Sequence, residues 1–600
     1  MYAQEYEAEV LSSDTKKYFV GKNLVSENRI SIRINKREGD LYSTIAIPYN
    51  SMLQVSAIKG EVRNSTGEVV RKLKDKNISS VNAFSAETFY NDQMIYGFNL
   101  KHDEFPYTIT YSYTSRQESY MNIGEWTPVV FQDIPTHRAT LHLSIPHGMK
   151  VAFRTRNIDP VVVKESAAGK EYTWMGSYLE LLHGEVLSPP LQDLAPLVSV
   201  IPEEFKYDIR GSSKSWTEFG DWIYRLNDGL QSLNPDTKEE ILRSIEGMRD
   251  TTKIIETLYH WMQDETRYVF ISVETGGMKP YSAGYVSTNK FGDCKALTNY
   301  FRSVLKVAHI ESNYALVNAG PTISRIDMEY PSQQFNHAIL MVPRGNDTLW
   351  LDCTSDGAFN FAGGFIQNRN ALVIREEGGY FRKVPMLSAE DVKSTRKMVF
   401  SQVGDTVFAD VSCKYRGELY ELFLQMSQTA RETSLRQIFR NFVVESMFEL
   451  QDYNLETFHR DSAYINFSYT ARSIDYYNIN EDEIYIQLFP LHMPVFPPPE
   501  ERELPVQIDH PIAQTDTMIY LLSTGQTLSF IPEQRVISSE YGEYRLQSSL
   551  DQNAVTITKS LLLNEGYYSP EAYDDFYAFI EEVLQSEVLQ MLILSKTVEP

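Results

Sequence analysis

Cysteine is scarce in this chain: Cys294, Cys353 and Cys413 are the only three in 600 residues. So few thiols exclude a disulfide-dense scaffold and the usual thiolate-rich zinc and iron–sulfur sites, and an odd number leaves at least one sulfur unpaired. Long apolar runs are missing as well. No stretch approaches the roughly 18 consecutive apolar residues that read as a membrane-crossing helix, so no transmembrane segment is expected. Basic charge is in short supply, with 56 Lys and Arg against 80 Asp and Glu and a formal charge of -24. No Lys/Arg block with interleaved aromatics offsets that balance, which disfavours both nucleic acid and an anionic membrane surface as partners. The glycine pairs lack the strand-to-helix setting of a phosphate-binding fingerprint, and there is neither a His-Glu-x-x-His pattern nor an ordered calcium loop; no cofactor and no metal is expected.

What is present is a well-folded composition, 42% apolar and 12% aromatic, on a chain too long for one hydrophobic core, so three or four domains are expected. Alternating runs such as LYSTIAIPY, PYTITYSYTS and RATLHLSIP fill the N-terminal stretch and predict strands in an antiparallel sandwich or paired sheets. The proline-bearing LSPPLQDLAPLVSVIPEE, residues 187–204, marks a boundary. Helical texture follows. Ser215 stands three residues before Glu218 as a cap signal, with Trp216, Phe219 and Ile223 as an apolar stripe; Ile254, Leu258, Trp261 and Met262 form the face of a second helix. FNHAILMVP and DTLWLDCTS predict two strands paired across a Gly-Asn-Asp turn. The last 200-odd residues predict a third region of strands, with ELFLQMSQTARETSLRQIFRNFV as a helix, VFPPPEE as a rigid loop and PEAYDDFYAFIEEVLQSEVLQ as a closing helix opened by proline. No fixed-period repeat is present, which sets solenoids aside.

The stretch that invites chemistry is KFGDCKALTNYFRSVLK, residues 290–306, where Cys294 stands at the start of an apolar-periodic helix. Alone, such a cysteine is as well explained by packing. In the first turn, however, unpaired backbone N–H groups and the helix field would stabilise a thiolate, and the Cys294 N–H would face a developing oxyanion. His337 opens a strand-like run and shares its face with Ile339 and Met341; Asp352 shares a face with Trp350, while Leu349, Leu351 and Cys353 face away. If these strands are neighbours, Asp352 can take one imidazole nitrogen and leave the other for Cys294. Asp293 is expected to cap the helix, Lys295 to be solvent-exposed, and Cys353 to face the core and form no disulfide with Cys294.

FGDCKALTNYFRSVLK, FNHAILMVP and LWLDCTS resemble the Cys, His and Asp segments of the transglutaminase-like superfamily, and the Arg267-Tyr268 stretch is similar to the one that precedes the cysteine in its bacterial members. The β-rich start and the closing PEAYDDFYAFIEEVL extend the likeness to bacterial proteins with an N-terminal domain of unknown function 3857, often exported in Gram-negative species. Relatives commonly carry an acidic residue where this chain has Ala296. The resemblance implies a multidomain α+β chain: an N-terminal β-rich domain at 1–200, a papain-like, transglutaminase-like core at 201–375 centred on residues 207–371, and a C-terminal β-rich domain with a terminal helix at 376–600, the outer two sandwich-like. It implies Cys294, His337 and Asp352 as a catalytic triad and offers Tyr268 as an oxyanion donor. Together with the Ala3-Gln4 pair, which is of the kind found around a secretory cleavage site, it implies an exported, periplasmic or cell-envelope protein.

The expected activity is that of a cysteine peptidase, amidase or acyl transferase acting on a protein, a peptide or a cell-envelope polymer, with glycan as a further candidate partner. The competing expectation is a non-catalytic envelope binding or assembly protein that keeps the fold, since fold alone does not establish activity.

Overall fold

The computed structural model describes residues 6–82, 88–91, 93–272, 277–429, 436–438, 440, 443–456, 460–588 and 590–596. Ala3-Gln4, Gly276 of the Gly276-Gly277 pair and parts of the helical stretch expected at 421–443 lie outside them.

Alternating residues build the N-terminal region as anticipated. Tyr107, Ile109 and Tyr111 are buried on one side of strand Tyr107–Gln117, and Ala139, Leu141, Leu143 and Ile145 along Thr136–Pro146. These strands belong to an eight-stranded sheet in which Ala8–Val20 pairs antiparallel with Asn23–Ile34 and parallel with Thr136–Pro146. Two three-stranded sheets cover it. One contributes Ile45, Ile47 and Phe98 to a cluster with Val10, Ile32 and Ile109; the other contributes Val198 and Val200 to a cluster with Leu141, Leu143 and Trp174. Leu197–Pro202 is thus a strand inside the segment that its prolines mark as a boundary. The short β-branched run carries the local preference there, with the prolines only at its flanks.

The middle of the chain combines helices with a five-stranded antiparallel sheet, ordered Asp347–Leu351, His337–Arg344, Asn313–Val317, Asn370–Arg375 and Gly378–Lys383. The parity expected for its strands holds. Leu340, Val342, Leu349, Leu351 and Cys353 join Leu297, Phe301 and Val304 of helix Cys294–Val307 in one cluster. Ile339, Met341 and Trp350 form another with Ile366 and Val373. Helix Trp216–Leu226 lies so close to the outer strand that an added Cβ on Gly220 would stand 2.1 Å from the Gly379 amide nitrogen. Ser215 caps this helix through the Glu218 N–H at 3.1 Å, and Asp250 caps helix Thr251–Glu265 through the N–H groups of Thr252 and Lys253.

In the C-terminal region a second eight-stranded sheet carries Ser394–Val403 parallel to Ile512–Leu521. Met398, Phe400, Met518 and Tyr520 pack there with Phe576, Ile580 and Val583 of helix Tyr573–Val588. The chain does not close on that helix: Met591–Lys596 returns as a strand between Glu483–Gln487 and Gln526–Phe530. So short an apolar run cannot be told from a helix end by periodicity. Helix Gly417–Thr429 faces the middle of the chain, where Glu421 accepts the Gly364 N–H at 2.8 Å. Among the described residues no helix is long and apolar enough to cross a membrane.

Candidate functional site

Cys294 is the first residue of helix Cys294–Val307, placed there by Asp293, whose Oδ1 accepts the Ala296 N–H at 2.9 Å as a helix cap. The second carboxylate oxygen of Asp293 binds Lys295 Nζ at 2.6 Å. Lys295 is therefore not the solvated residue expected from sequence: its side chain is 12% exposed and folds back along the helix start. Burial works against its charge, but Asp293 and Cys294 outweigh that and raise its pKa.

His337 opens its strand beside Val317, and Thr298 ties the helix to that strand by donating to the Ala338 carbonyl at 3.1 Å. Asp352 lies one residue past the end of the neighbouring strand. The two side chains meet, with His337 Nε2 3.0 Å from Asp352 Oδ2. The other Asp352 oxygen accepts from the Thr354 backbone at 2.9 Å and the Thr354 hydroxyl at 2.7 Å, and Tyr259 donates to the Asp352 carbonyl at 2.7 Å. One carboxylate oxygen is thus held by Thr354 and the backbone by Tyr259, which leaves Oδ2 for the imidazole. Sequence reasoning did not find Thr354 and Tyr259. The Asp-x-Thr spacing is a recognisable turn signal for the first, whereas nothing local to Tyr259 points to a residue 93 positions away.

Cys294, His337 and Asp352 are only 6%, 8% and 7% exposed, so their electrostatics are those of a dry site. Burial alone would lower the imidazole pKa. The Asp352 charge and hydrogen bond, followed by Cys294, override it and raise His337 to about 10. Burial likewise pushes the Asp352 carboxyl up, but His337 and Thr354 hold it below the ordinary carboxylate range. Both shifts describe one ion pair of imidazolium and carboxylate. Cys353, on the opposite sheet face, has its thiol pushed well up by burial; all three cysteines are free. Tyr268 is 45% exposed on a two-residue strand whose register places it opposite Gly292, two positions before Cys294. The structure thus brings Cys294, His337 and Asp352 together and leaves Tyr268 on a neighbouring strand.

The outer regions carry the likeness to known domain families. Residues 22–180 match the domain of unknown function DUF3857, and residues 482–593 match the domain of unknown function DUF3858. The chain thus carries one segment similar to each of these two domain families. A solved protein from Parabacteroides distasonis, named a "putative protease", shares the fold of this chain with a TM-score of 0.65 at 13% identity, over 98% of this chain and 99% of its own. A "putative cysteine protease" from Cytophaga hutchinsonii aligns over 55% of this chain and 76% of its own at 10% identity, with a TM-score of 0.17 that carries no fold argument. No curated protein matches the chain.

Proposed function

We propose that this protein is a cysteine hydrolase or acyl transferase acting on peptide-like amides, with Cys294, His337 and Asp352 as its catalytic group. The observation that carries the reading is the meeting of His337 and Asp352 at 3.0 Å beside a helix-N-terminal cysteine, all three drawn out of water. Because Nε2 is engaged by Asp352, Nδ1 is the ring nitrogen that serves Cys294. Sγ attacks the amide carbonyl as thiolate, the tetrahedral oxyanion is met by the Cys294 N–H, and the His337 imidazolium gives its proton to the departing amine. The thioester that remains is opened by water to give an acid, or by a second amine to give a new amide, with His337 now acting as base. Asp352 holds the imidazole orientation throughout and stabilises its positive charge whenever the ring is protonated.

The reading includes a papain-like, transglutaminase-like core at 201–375 between β-rich domains at 1–200 and 376–600. It is supported by the separation of the main apolar clusters along the chain. The near-complete burial of the triad favours one other reading, a closed or non-catalytic fold that captures an envelope polymer.

The test is incubation of the full chain, and of Cys294→Ala, with a mixed peptide library, with and without a primary-amine acceptor. Mass spectrometry should show new acid termini or amine adducts that the variant does not produce. Binding of the library without any Cys294-dependent product supports capture instead.

A further inference from the structure

Phe365 is 45% exposed, yet its ring meets the buried His337 imidazole at a centroid distance of 5.4 Å and an interplanar angle of 75°. The contact is edge-to-face, a geometry that aromatic rings favour. More to the point, it fills one flank of the imidazole. His337 must present Nε2 to Asp352 and Nδ1 to Cys294, and a ring against that flank resists rotation away from this orientation.

The backbone around Phe365 is held on several sides. Phe365 follows Gly363 and Gly364 in a single helical turn. Its carbonyl accepts the Gly320 N–H at 3.0 Å. The Gly364 N–H is taken by Glu421 at 2.8 Å, from a helix 57 residues later in the chain. Gly363 has φ +62, and a Cβ there would stand 2.3 Å from Glu421 Oε1, so glycine lets the carboxylate come this close. Arg369, itself almost wholly buried, donates to the Gln367 carbonyl at 2.9 Å and braces the exit of the turn.

We propose that Phe365 is a positioning residue for His337, and that Glu421 of helix Gly417–Thr429 holds it in place, so that the C-terminal half of the chain sets the orientation of the imidazole. This rests on the cysteine-enzyme reading above and adds to it a contact through which that helix fixes the site.

The test is the rate of Cys294 alkylation by iodoacetamide across pH, read by peptide mass spectrometry on the full chain. It compares wild type with Phe365→Ala, Phe365→Leu, Glu421→Ala, Glu421→Gln and His337→Ala. Phe365→Ala should lower the neutral-pH rate about tenfold, the scale of a small misplacement of a reacting group, and move the pH profile toward that of His337→Ala. Phe365→Leu should restore most of the rate. Glu421→Ala should follow Phe365→Ala, whereas Glu421→Gln, which keeps an acceptor for Gly364, should stay near wild type. If His337→Ala slows alkylation but Phe365→Ala and Glu421→Ala retain the wild-type rate and profile, this inference fails alone. A faster rate in Phe365→Ala with an unchanged profile also overturns it, because the ring is then only a cover. If His337→Ala itself behaves as wild type, the cysteine-enzyme reading fails and this inference with it.

Discussion

His337 and Asp352 face each other at 3.0 Å at the ends of two paired strands, in a site where both are buried. A buried ion pair is fragile to the loss of either charge, and this one determines how the protein should respond to pH and to substitution.

The raised pKa of His337 makes folding stability fall on the alkaline side. Its contribution is complete below the unfolded pKa of about 6.5 and is lost as pH rises through the folded value of about 10, because over that window the folded state binds the extra proton. Urea unfolding at a series of pH values should therefore show stability declining across the window by up to about 1.4 kcal/mol per pH unit from this group. His337→Gln should remove that slope. The lowered Asp352 carboxyl gives the opposite limb, with stability present above its unfolded pKa and lost as pH falls through the folded one.

Asp352→Asn keeps the shape of the side chain and removes its charge. The His337 titration, followed through its imidazole carbon-bound proton by NMR, should then move down by more than about one unit, since burial is no longer opposed by a carboxylate. An unmoved titration would contradict the assigned cause.

Gly220 and Gly379 let helix Trp216–Leu226 lie directly on the outer strand of the central sheet. Gly220→Ala should destabilise the protein by at least about 1–3 kcal/mol in denaturant unfolding, because the obstacle is backbone and has nowhere to go. Gly184→Ala, where an added Cβ meets nothing within 4 Å, should stay within about 0.5 kcal/mol of wild type.

Arg396 is buried in the C-terminal sheet between Asp516 at 2.5 Å and Glu445 at 2.6 Å. Arg396→Met should cost about 3–5 kcal/mol by leaving Asp516 as an uncompensated buried charge. Adding Asp516→Leu should recover much of it, which thermal unfolding of the single and double variants would show.

Much of the site was legible because its residues sit at element starts with strong local signals. Asp293 before an apolar-periodic run announces a helix with Cys294 in its first turn, and period-two alternation puts Ile339 and Met341 on the Trp350 face and Leu349, Leu351 and Cys353 on the other. Lys295 was misjudged because a lysine at a helix start is usually solvated, and only the tertiary surroundings of Asp293 draw it in. Tyr259, Phe365 and Glu421 act through contacts distant along the chain, which no local pattern encodes. The strand at Met591–Lys596 was lost for a related reason, since its partners are supplied by residues more than 60 positions earlier.

The most direct test of the central claim is site-resolved alkylation of the three cysteines by a small haloacetamide, on wild type and His337→Ala, across pH. Burial pushes the Cys353 thiol well up and the Cys413 thiol to about 12, so both should react slowly. The account predicts that Cys294 is modified first in the wild type near neutral pH and loses that advantage in His337→Ala. Equal, slow labelling of all three cysteines in both proteins would contradict it.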